Sequence, residues 1–391
     1  MKLNKKELLI VFLLMFSAAL SYAQDSIRNN KFIINGYVKD LQTILFQDIR
    51  SEWTTANLIH NRLNFKWLPS SSFTASLELR NRFFYGDMLT KFPGYNKTFE
   101  NDRGVLNLTT NVFDEKSFLF NMAIDRLWFQ YTNEKLQVTA GRQRINWGQT
   151  FVWNPNDIFN TYSYFDFDYE EKPGSDAVRV QYFLNPTSVF ELAAKMDQQD
   201  KATVAGLYRF NKWNYDIQFL GGVTDEQDFV VGTGWSGQIL KGGFRGEASY
   251  FQPRQHLSDS TGVFLASIGY DYTFRNSLFL QLEALYNGNE KSGNLLALDQ
   301  LNSSNISTKN LFLSGYSMFG SLSYPFTPLI NGSLAGITNF KHKLLFANPS
   351  LNISLKENLE LTLTSQIIKF YGQDNSNQDL TFIFARLKGS F

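Results

Sequence analysis

The sequence predicts an all-β protein: a single transmembrane antiparallel β-barrel of about 18 strands, with long connections on one side and short turns on the other. Three observations predict this class. Apolar and polar residues alternate with a period of two along much of the chain. Short turns alternate with long polar segments as connections. Aromatic residues make up 16% of the 391 residues, although only 43% of the residues are hydrophobic.

The individual strands are recognised by their two faces. Between Phe73 and Phe83, Phe, Ala and Leu residues occupy one face, whereas Thr, Ser, Glu and Arg residues occupy the other. Such a run is typical of a strand with one apolar and one polar face. The same alternation occurs at 57–68, 176–184, 278–287, 359–370 and 381–391.

The connections between these runs alternate in length. Short turns are predicted at 69–72, 132–134, 185–187, 211–212, 241–243, 275–277, 325–328 and 356–358. Long polar segments are predicted at 85–116, 147–175, 253–262 and 288–311, with modest ones near 48–55, 197–202, 224–228, 339–343 and 371–377. With an even number of strands, every short turn lies on the same side as both termini.

A membrane barrel explains this pattern better than a soluble two-sheet sandwich. The apolar face is rich in Phe, Tyr and Trp on strand after strand, and only hydrocarbon rewards an apolar outside with a polar inside on every strand. Because unpaired sheet edges are not tolerated in lipid, the sheet must close. At 16–18 strands the barrel is wide enough to hold water.

The amino-terminal residues are typical of an export signal. Lys2, Lys5 and Lys6 precede the apolar run 8–16, and small residues flank a cleavage site after Ala23. We therefore expect a signal peptide at 1–23 and one barrel domain at 24–391. The mature chain then carries 34 basic and 35 acidic residues and is nearly neutral.

The carboxyl-terminal strand supports the same class. Residues 381–391 alternate apolar and polar positions and end on Phe391. This strand resembles the last strand of Gram-negative outer-membrane proteins. The resemblance implies an outer-membrane location, contact with outer-membrane lipid, and the barrel-assembly machinery as a partner. The short turns are then periplasmic and the long segments extracellular.

The polar faces of the strands are expected to line the lumen. Candidate pore-lining residues are Arg62, Lys66, Glu78, Arg80, Arg82, Arg179, Arg245, Glu247, Glu283, Arg386 and Lys388. Because closure makes the last strand a neighbour of the first, one basic wall is expected, formed by Arg62, Lys66, Arg80, Arg82, Arg386 and Lys388. Glu247 and Glu283 lie on the opposite half of the barrel. The opposed acidic and basic walls create an electric field across the lumen, which favours the passage of polar solutes. Alternatively, facing Arg and Glu side chains pair and only keep the wall rigid.

The segment that begins at Gly141 breaks the alternation. Arg142 and Arg144 share parity with preceding apolar residues, so either the strand carries a bulge or the arginines lie above the lipid boundary. The pattern Gly-Arg-Gln at 141–143, Trp147-Gly148 and Asn-Pro-x-Asp at 154–157 resembles an uncharacterised group of porin-like outer-membrane proteins of Gram-negative, Bacteroidota-like origin. It is also distantly similar to alginate-export and capsule-assembly barrels. The alternative is that the arginines brace the following loop.

The long loop 147–175 combines aromatic residues with carboxylates. Aromatic faces stack on sugars, and carboxylates accept hydrogen bonds from hydroxyl groups. Two roles are therefore open for one set of residues, which either form a constriction or contact a glycan: Arg142, Arg144, Trp147, Trp153 and Asp157. The carboxylates could also take up a divalent cation, although no calcium-loop spacing is present. The alternative is that the loop folds into the barrel mouth and packs its aromatic residues on the wall.

Several function classes are excluded or disfavoured by composition. A formal net charge of +1 offers no basic excess for nucleic acid. The chain has 3 His and 0 Cys, so thiolate metal sites and Cys nucleophiles are excluded and a His-rich metal centre is disfavoured. We expect no cofactor, no metal and no catalytic residue, and the short polar stretch after Gln24 leaves no room for a plug domain.

Two functions stay open. The first is a porin-like channel that passes small hydrophilic or mildly anionic solutes passively. The second is a surface barrel that binds or assembles a polysaccharide or a partner protein through its loops, with a closed lumen. The sequence does not specify the solute or the oligomeric state.

Overall fold

The computed structural model of the chain describes residues 31–92, 94–100, 102–160, 170–255, 257, 261–290, 307–371 and 378–391. The predicted signal peptide at 1–23 and its cleavage after Ala23 lie outside these residues and stay predictions. The middle of loop 147–175 and most of the segment 288–311 also lie outside them.

The strands belong to one antiparallel sheet. In chain order they are β1 (Phe32–Phe46), β2 (Thr54–Thr55), β3 (Asn57–Trp67), β4 (Phe73–Tyr85), β5 (Thr109–Asp114), β6 (Phe118–Thr132), β7 (Leu136–Gln143), β8 (Ser175–Asn185), β9 (Ser188–Met196), β10 (Ala202–Lys212), β11 (Tyr215–Thr224), β12 (Asp228–Ile239), β13 (Gly242–Pro253), β14 (Val263–Thr273), β15 (Phe279–Asn287), β16 (Gly315–Thr327), β17 (Ile330–Asn339), β18 (Leu344–Lys356), β19 (Leu359–Phe370) and β20 (Gln378–Ser390).

Eighteen of these strands form a closed barrel. β1 pairs with β3 along one edge and with β20 along the other, so the sheet closes on itself. The two short strands, β2 and β5, pair with the ends of β1 and β6 on the side of the long connections. The expected all-β antiparallel barrel of 18 strands is therefore confirmed.

Most of the helical structure in the described residues lies in one long connection. Between β4 and β6 lie helix α1 (Asp87–Lys91) and a 3₁₀ turn (Asn96–Phe99). No helix in the described part of the chain has the length and apolar character needed to cross a membrane.

Short turns and long connections alternate around the barrel as the sequence predicts, but two turns lie further along the chain than expected. β10 and β11 are joined at Trp213 and Asn214, whose φ angles are 56° and 61°. Positive φ at both positions gives a two-residue hairpin turn that matches the twist of the strands. β16 continues through a bulge to Thr327, so its turn begins at Pro328 and not at Pro325.

Successive residues along a strand differ sharply in exposure. On β10, Val204 and Tyr208 are exposed, whereas Thr203 and Leu207 are buried. The exposed face therefore carries the large apolar side chains that a lipid environment requires. The core of the molecule lies on the opposite, inner face of the sheet, where part of the long loop after β7 covers the wall.

The closing seam of the barrel ends on the last residue. The backbone N–H and C=O of Phe391 each form a 3.0 Å hydrogen bond with the backbone of Gly36 on β1. A Cβ atom at Gly36 would lie 2.1 Å from the Arg62 carbonyl oxygen and 3.0 Å from the Phe391 ring. Glycine is therefore required at position 36 for the two neighbouring strands and the terminal ring to approach this closely.

Deleting Phe391 should impair barrel formation. The deletion removes both hydrogen bonds and the ring that lies over Gly36, at a cost of order 1–3 kcal/mol. The folded fraction, measured by heat-modifiable migration in gel electrophoresis, should fall while export is unchanged. Phe391→Tyr, which retains an aromatic ring, is the control. An unchanged yield of folded barrel after the deletion would contradict this role.

Candidate functional site: the lumen and its inserted loop

The loop after β7 begins at a distorted strand end. Gly141 has a φ of +114°, in the region that favours glycine, and a Cβ atom there would lie 2.2 Å from the Leu127 carbonyl oxygen on β6. On its other edge, β6 shifts register against β4 and leaves Asp125 without a partner in that ladder. The sequence left a bulge near Gly141 as one of two explanations. The ladders of β7 with β6 and β8 run through Gly141 without a register shift, so the change of face between the exposed Ala140 and the buried Arg142 occurs at the positive φ of Gly141.

Arg142 is buried and connects two segments of the chain through its guanidinium group. Its Nε atom lies 2.7 Å from Asp176 Oδ1, and its Nη1 atom lies 2.7 Å from Asp102 Oδ2. Asp102 belongs to the long connection between β4 and β6, and Asp176 belongs to β8. The guanidinium group therefore ties the long connection between β4 and β6 to the barrel wall at the base of the loop.

Residues 144–160 of this loop pack against the inner wall of the barrel. Ile145, Trp147, Ile158 and Phe159 are buried against side chains of β8 to β14. Val152 and Trp153 are buried against a second set on β15 to β19 and the segment before β16. Burying an Ile or Val side chain stabilises a fold by roughly 1.5–3 kcal/mol. For residues 147–160, the interpretation of a loop packed on the wall is the one that the contacts support.

A buried carboxylate of β13 anchors the first part of the loop. Glu247 is only 1% exposed. Its Oε1 atom accepts hydrogen bonds from the backbone N–H of Gln149 and Thr150, both at 2.9 Å, and from the Thr150 hydroxyl at 2.5 Å. Its Oε2 atom accepts the backbone N–H of Asn156 at 2.7 Å. Four loop donors thus converge on one side chain of the wall.

Glu283 on β15 anchors the next three residues in the same way. Its carboxylate is 3% exposed and accepts the backbone N–H groups of Phe151, Val152 and Trp153 at 2.8–3.0 Å. The hydroxyl of Ser267, on β14, donates to the same carboxylate at 2.9 Å. Hydrogen bonds to an ionised acceptor are roughly twice as strong as neutral ones. We call Glu247 and Glu283 the anchor carboxylates.

A third wall carboxylate holds the beginning of the loop. The indole N–H of Trp147 donates to Glu191 on β9. Arg179 on β8 also binds Glu191, with both nitrogen–oxygen distances at 2.7 Å. Trp147 is therefore positioned by a hydrogen bond and by burial, and the Arg179–Glu191 pair is part of that support.

The far part of the inserted segment contains a buried ion pair. Arg144 Nη2 lies 2.5 Å from Asp157 Oδ2, and Arg144 Nη1 donates to the Asn160 carbonyl at 3.0 Å. Burial raises the pKa of Asp157 to about 6, although the charges of Arg144 and Lys172 oppose this rise. Burial, assisted by the charge of Arg144, lowers the pKa of Lys172 to about 8. Near neutral pH the Asp157 carboxylate is therefore largely ionised and can pair with Arg144.

The predicted basic residues lie on β3, β4 and β20, where β3 and β20 flank β1 and β4 pairs with β3. Arg62 on β3 faces Arg80 on β4 in the register, and Arg82 faces His60. Asp125 lies between the two arginines, at 2.5 Å from Arg62 Nη1 and 3.2 Å from Arg80 Nε. Glu78 also pairs with Arg62. Lys66 is exposed near the short-turn end of β3.

Two carboxylates from the end of the long loop reach the same wall. Glu170 lies 2.7 Å from Arg386 Nη1 and 2.7 Å from Lys388 Nζ on β20. Glu171 accepts a 2.9 Å hydrogen bond from the Tyr37 hydroxyl on β1. The loop therefore contacts both halves of the barrel: 144–160 pack on one half, and 170–171 contact the other.

The lumen is asymmetric in water access. Buried beneath the loop are Glu191, Gln218, Glu247, Ser249, Ser267 and Glu283. On the other half the side chains of Glu360, Glu170 and Lys388 are 47%, 33% and 20% exposed, whereas Lys39, Arg62 and Asp125 are buried there as well. Arg245 is intermediate: it pairs with Asp271 at 2.8 Å, and its guanidinium lies 3.8 Å from the centre of the Phe151 ring.

The structure thus separates the sequence-derived candidates into two groups. It brings Arg62, Glu78, Arg80, Arg386 and Lys388 into one network, and their role in lining a pore stays a prediction. It places Glu247, Glu283, Trp147 and Trp153 in the packed contact between loop and wall. The sequence analysis missed Tyr37, Lys39 and Asp125, and it counted Glu170 and Glu171 among the loop carboxylates without connecting them to this wall. The alternation on β1 and β6 could have revealed Lys39 and Asp125, but nothing local marks Glu170 as a partner of β20.

Among the described residues, no group of three or more His, Asp or Glu side chains is arranged to hold a metal ion. The charged side chains of the lumen instead bind one another and the loop. These features define a transmembrane β-barrel whose lumen is divided by its own loop.

No protein-family model and no curated protein matches the sequence. Solved structures match its fold. OccAB2 of Acinetobacter baumannii has a TM-score of 0.58 at 9% identity, over 94% of this chain and 100% of that chain. OccD3 (OpdP) of Pseudomonas aeruginosa has a TM-score of 0.56 at 8% identity, over 92% and 91%. OpdK of P. aeruginosa, solved with vanillate, has a TM-score of 0.55 at 10% identity, over 92% and 99%.

These structures are Gram-negative outer-membrane porins with 18-strand barrels. At such low identity the likeness concerns the fold, and it extends over almost the whole of both chains. The chain therefore has the barrel fold of outer-membrane porins.

Replacing both anchor carboxylates should release the inserted segment. In Glu247→Gln/Glu283→Gln each amide keeps one acceptor oxygen and presents N–H groups to backbone donors, at a cost of roughly 1–3 kcal/mol per lost partner. Amide hydrogen exchange of residues 149–156, followed by mass spectrometry, should accelerate about tenfold or more, while the barrel strands keep their protection.

Glu360→Gln is the matched control for this experiment, because Glu360 lies on the lumen side of β19 and pairs with Arg386. Its exchange pattern over 149–156 should equal that of the unmodified chain. The anchoring account is wrong if exchange in this segment is the same in the double variant and in the control.

Proposed function

We propose that the chain is a porin-like outer-membrane channel that passes small hydrophilic or mildly anionic solutes passively. The observation that carries the proposal is the charged half of the lumen opposite the half covered by the loop, where Glu360, Glu170 and Lys388 are partly exposed to water. Fixed charges beside water order the solvent and favour polar solutes. The fold of the neighbouring porin structures supports an outer-membrane channel.

The width of the barrel supports a water-filled path. Barrels of 16–18 strands leave an aqueous channel, whereas small barrels are filled by side chains. Here the packed segment 144–160 occupies space along one side of the lumen. The remaining passage is lined by basic side chains, including Arg80, Arg386 and Lys388, and by their acidic partners. A solute moves through such a passage down its own gradient.

The proposal includes location and orientation. We propose that the chain is exported by its 1–23 signal, inserted by the barrel-assembly machinery through the strand that ends at Phe391, and oriented with its short turns in the periplasm. The long connections 85–116, 147–175 and 288–311 then face the outside. No catalytic role and no cofactor are part of this proposal.

A surface barrel that binds or assembles polysaccharide is the second candidate. The observation that favours it is the extent of the inserted loop, which contacts both halves of the lumen and narrows it. The resemblance of 141–157 to alginate-export and capsule-assembly barrels, and the Bacteroidota-like origin that it suggests, belong to this candidate as well. A folded barrel that does not conduct ions would favour it over the channel.

The channel proposal predicts anion preference that depends on β20. Purified protein in a planar bilayer should give ohmic conductance steps and an anion-selective reversal potential in a KCl gradient. Arg386→Gln/Lys388→Gln should lower the anion-to-cation permeability ratio by roughly twofold or more at 0.1 M salt, where a charge acts over about 10 Å. The effect should shrink at 1 M salt, where screening reduces that length to about 3 Å.

Lys135→Gln/Lys356→Gln is the control for this experiment, because both lysines are exposed at short turns. It removes the same charge from the periplasmic rim, away from the narrow part of the lumen. A conducting barrel with equal selectivity in both variants would show that the β20 charges do not line the conducting path.

A further inference from the structure

The two carboxylates at the end of the long loop make contacts that differ from those of the anchor carboxylates. Glu170 binds Arg386 and Lys388, each at 2.7 Å, and lies 3.8 Å from Lys39 Nζ. Glu171 binds the Tyr37 hydroxyl at 2.9 Å and lies 3.7 Å from Arg62 Nε. Two carboxylates of the protein itself are thus already paired with positively charged side chains of the basic wall.

The backbone behind these two residues is fixed to the barrel. Arg126 on β6 donates from Nη2 to the carbonyl oxygens of Glu171, at 3.2 Å, and Lys172, at 2.5 Å. Lys172 has a φ of 58°, and a Cβ atom at Gly174 would lie 2.6 Å from Arg126 Nη1. The chain therefore turns sharply against Arg126, which places the Glu170 and Glu171 side chains against β1 and β20.

The contact is accessible, unlike the anchors. The Glu170 side chain is 33% exposed, whereas Glu247 and Glu283 are almost fully buried. Burial alone would raise the pKa of Glu170, but the hydrogen bond from Lys388 and the charges of Lys39 and Arg386 lower it below its usual value. Glu170 is therefore ionised at neutral pH. Of its partners, Lys388 is partly exposed at 20%, whereas Arg386 is 11% exposed and Lys39 is fully buried.

We propose that Glu170 and Glu171 determine the specificity of the channel by acting as a latch on the basic wall, which an anionic solute must displace in order to bind. The proposal rests on the channel function proposed above and concerns how that lumen is regulated. A solute carboxylate needs the same donors that Glu170 already holds: the guanidinium of Arg386 and the ammonium of Lys388. Weakly charged or small anions then compete poorly, and solutes with several carboxylates compete best.

The latch has a quantitative consequence. A site that is free for only a fraction of the time shows an apparent affinity reduced by that fraction. Removing the latch charges should therefore strengthen binding of an anion and, separately, make the lumen more positive. Removing only a hydrogen bond of the latch should strengthen binding without changing the charge of the lumen.

The test uses the complete chain in planar bilayers, with citrate as the probe. In Glu170→Gln/Glu171→Gln the citrate concentration that halves the KCl current should fall about tenfold, if the latch leaves the site free about one-tenth of the time in the unmodified chain. The anion-to-cation permeability ratio should rise in the same variant. Glu115→Gln/Glu226→Gln, which removes two exposed carboxylates from the connections before β6 and before β12, should match the unmodified chain in both measurements.

Tyr37→Phe separates a latch from a general charge effect. It removes the hydroxyl that donates to Glu171 and leaves every charge in place. The half-blocking citrate concentration should fall in this variant too, while the reversal potential in KCl alone stays unchanged. Heat-modifiable migration confirms that each variant is folded before it is measured.

Three outcomes are distinguishable. If the unmodified chain does not conduct, the channel function itself fails. If it conducts and the citrate block is unchanged in Glu170→Gln/Glu171→Gln, the latch is wrong while the channel stands. If that variant shifts both measurements but Tyr37→Phe shifts neither, the two carboxylates act only through their charge, and the latch is again wrong.

Discussion

The backbone amides of a loop that enters a barrel must find acceptors, because the loop has no strand partner to supply them. Here two wall carboxylates supply them. Glu247 and Glu283 receive the backbone N–H groups of six loop residues, namely Gln149, Thr150, Phe151, Val152, Trp153 and Asn156. Their burial is tolerable because a charge withdrawn from water is acceptable only when it is fully hydrogen-bonded. The position of the loop, and with it the shape of the lumen, follows from these two side chains.

Because the loop is held on one side, the two halves of the lumen differ in chemistry. The half that carries the anchor carboxylates is closed over by Trp147, Val152 and Trp153 and has the character of a protein core. On the other half Glu360 and Lys388 are partly exposed, whereas Arg80 and Arg386 are nearly buried beside their carboxylate partners.

The sequence predicts the barrel well because period-two alternation is a local property. Strand number, the alternation of turns and loops, and the adjacency of Arg62, Arg80 and Arg386 all follow from that pattern together with closure. The alternation does not predict which segment of the chain covers each wall. Thr150 binds Glu247 across 97 residues, and Glu170 binds Arg386 across 216 residues. Such contacts depend on the path of a loop, and alternation carries no information about that path.

Water access at two matched positions tests the central claim, that the loop covers one half of the lumen and leaves the other open. The chain has 0 Cys, so single cysteines can be introduced at will. Ser249 contacts the loop, with its hydroxyl 2.8 Å from Asn156 Oδ1, and Glu360 faces the open half. A charged, water-soluble thiol reagent should modify Glu360→Cys rapidly and Ser249→Cys at least about tenfold more slowly, as expected for a site that reacts only when the loop opens. Equal rates at the two positions would contradict the account.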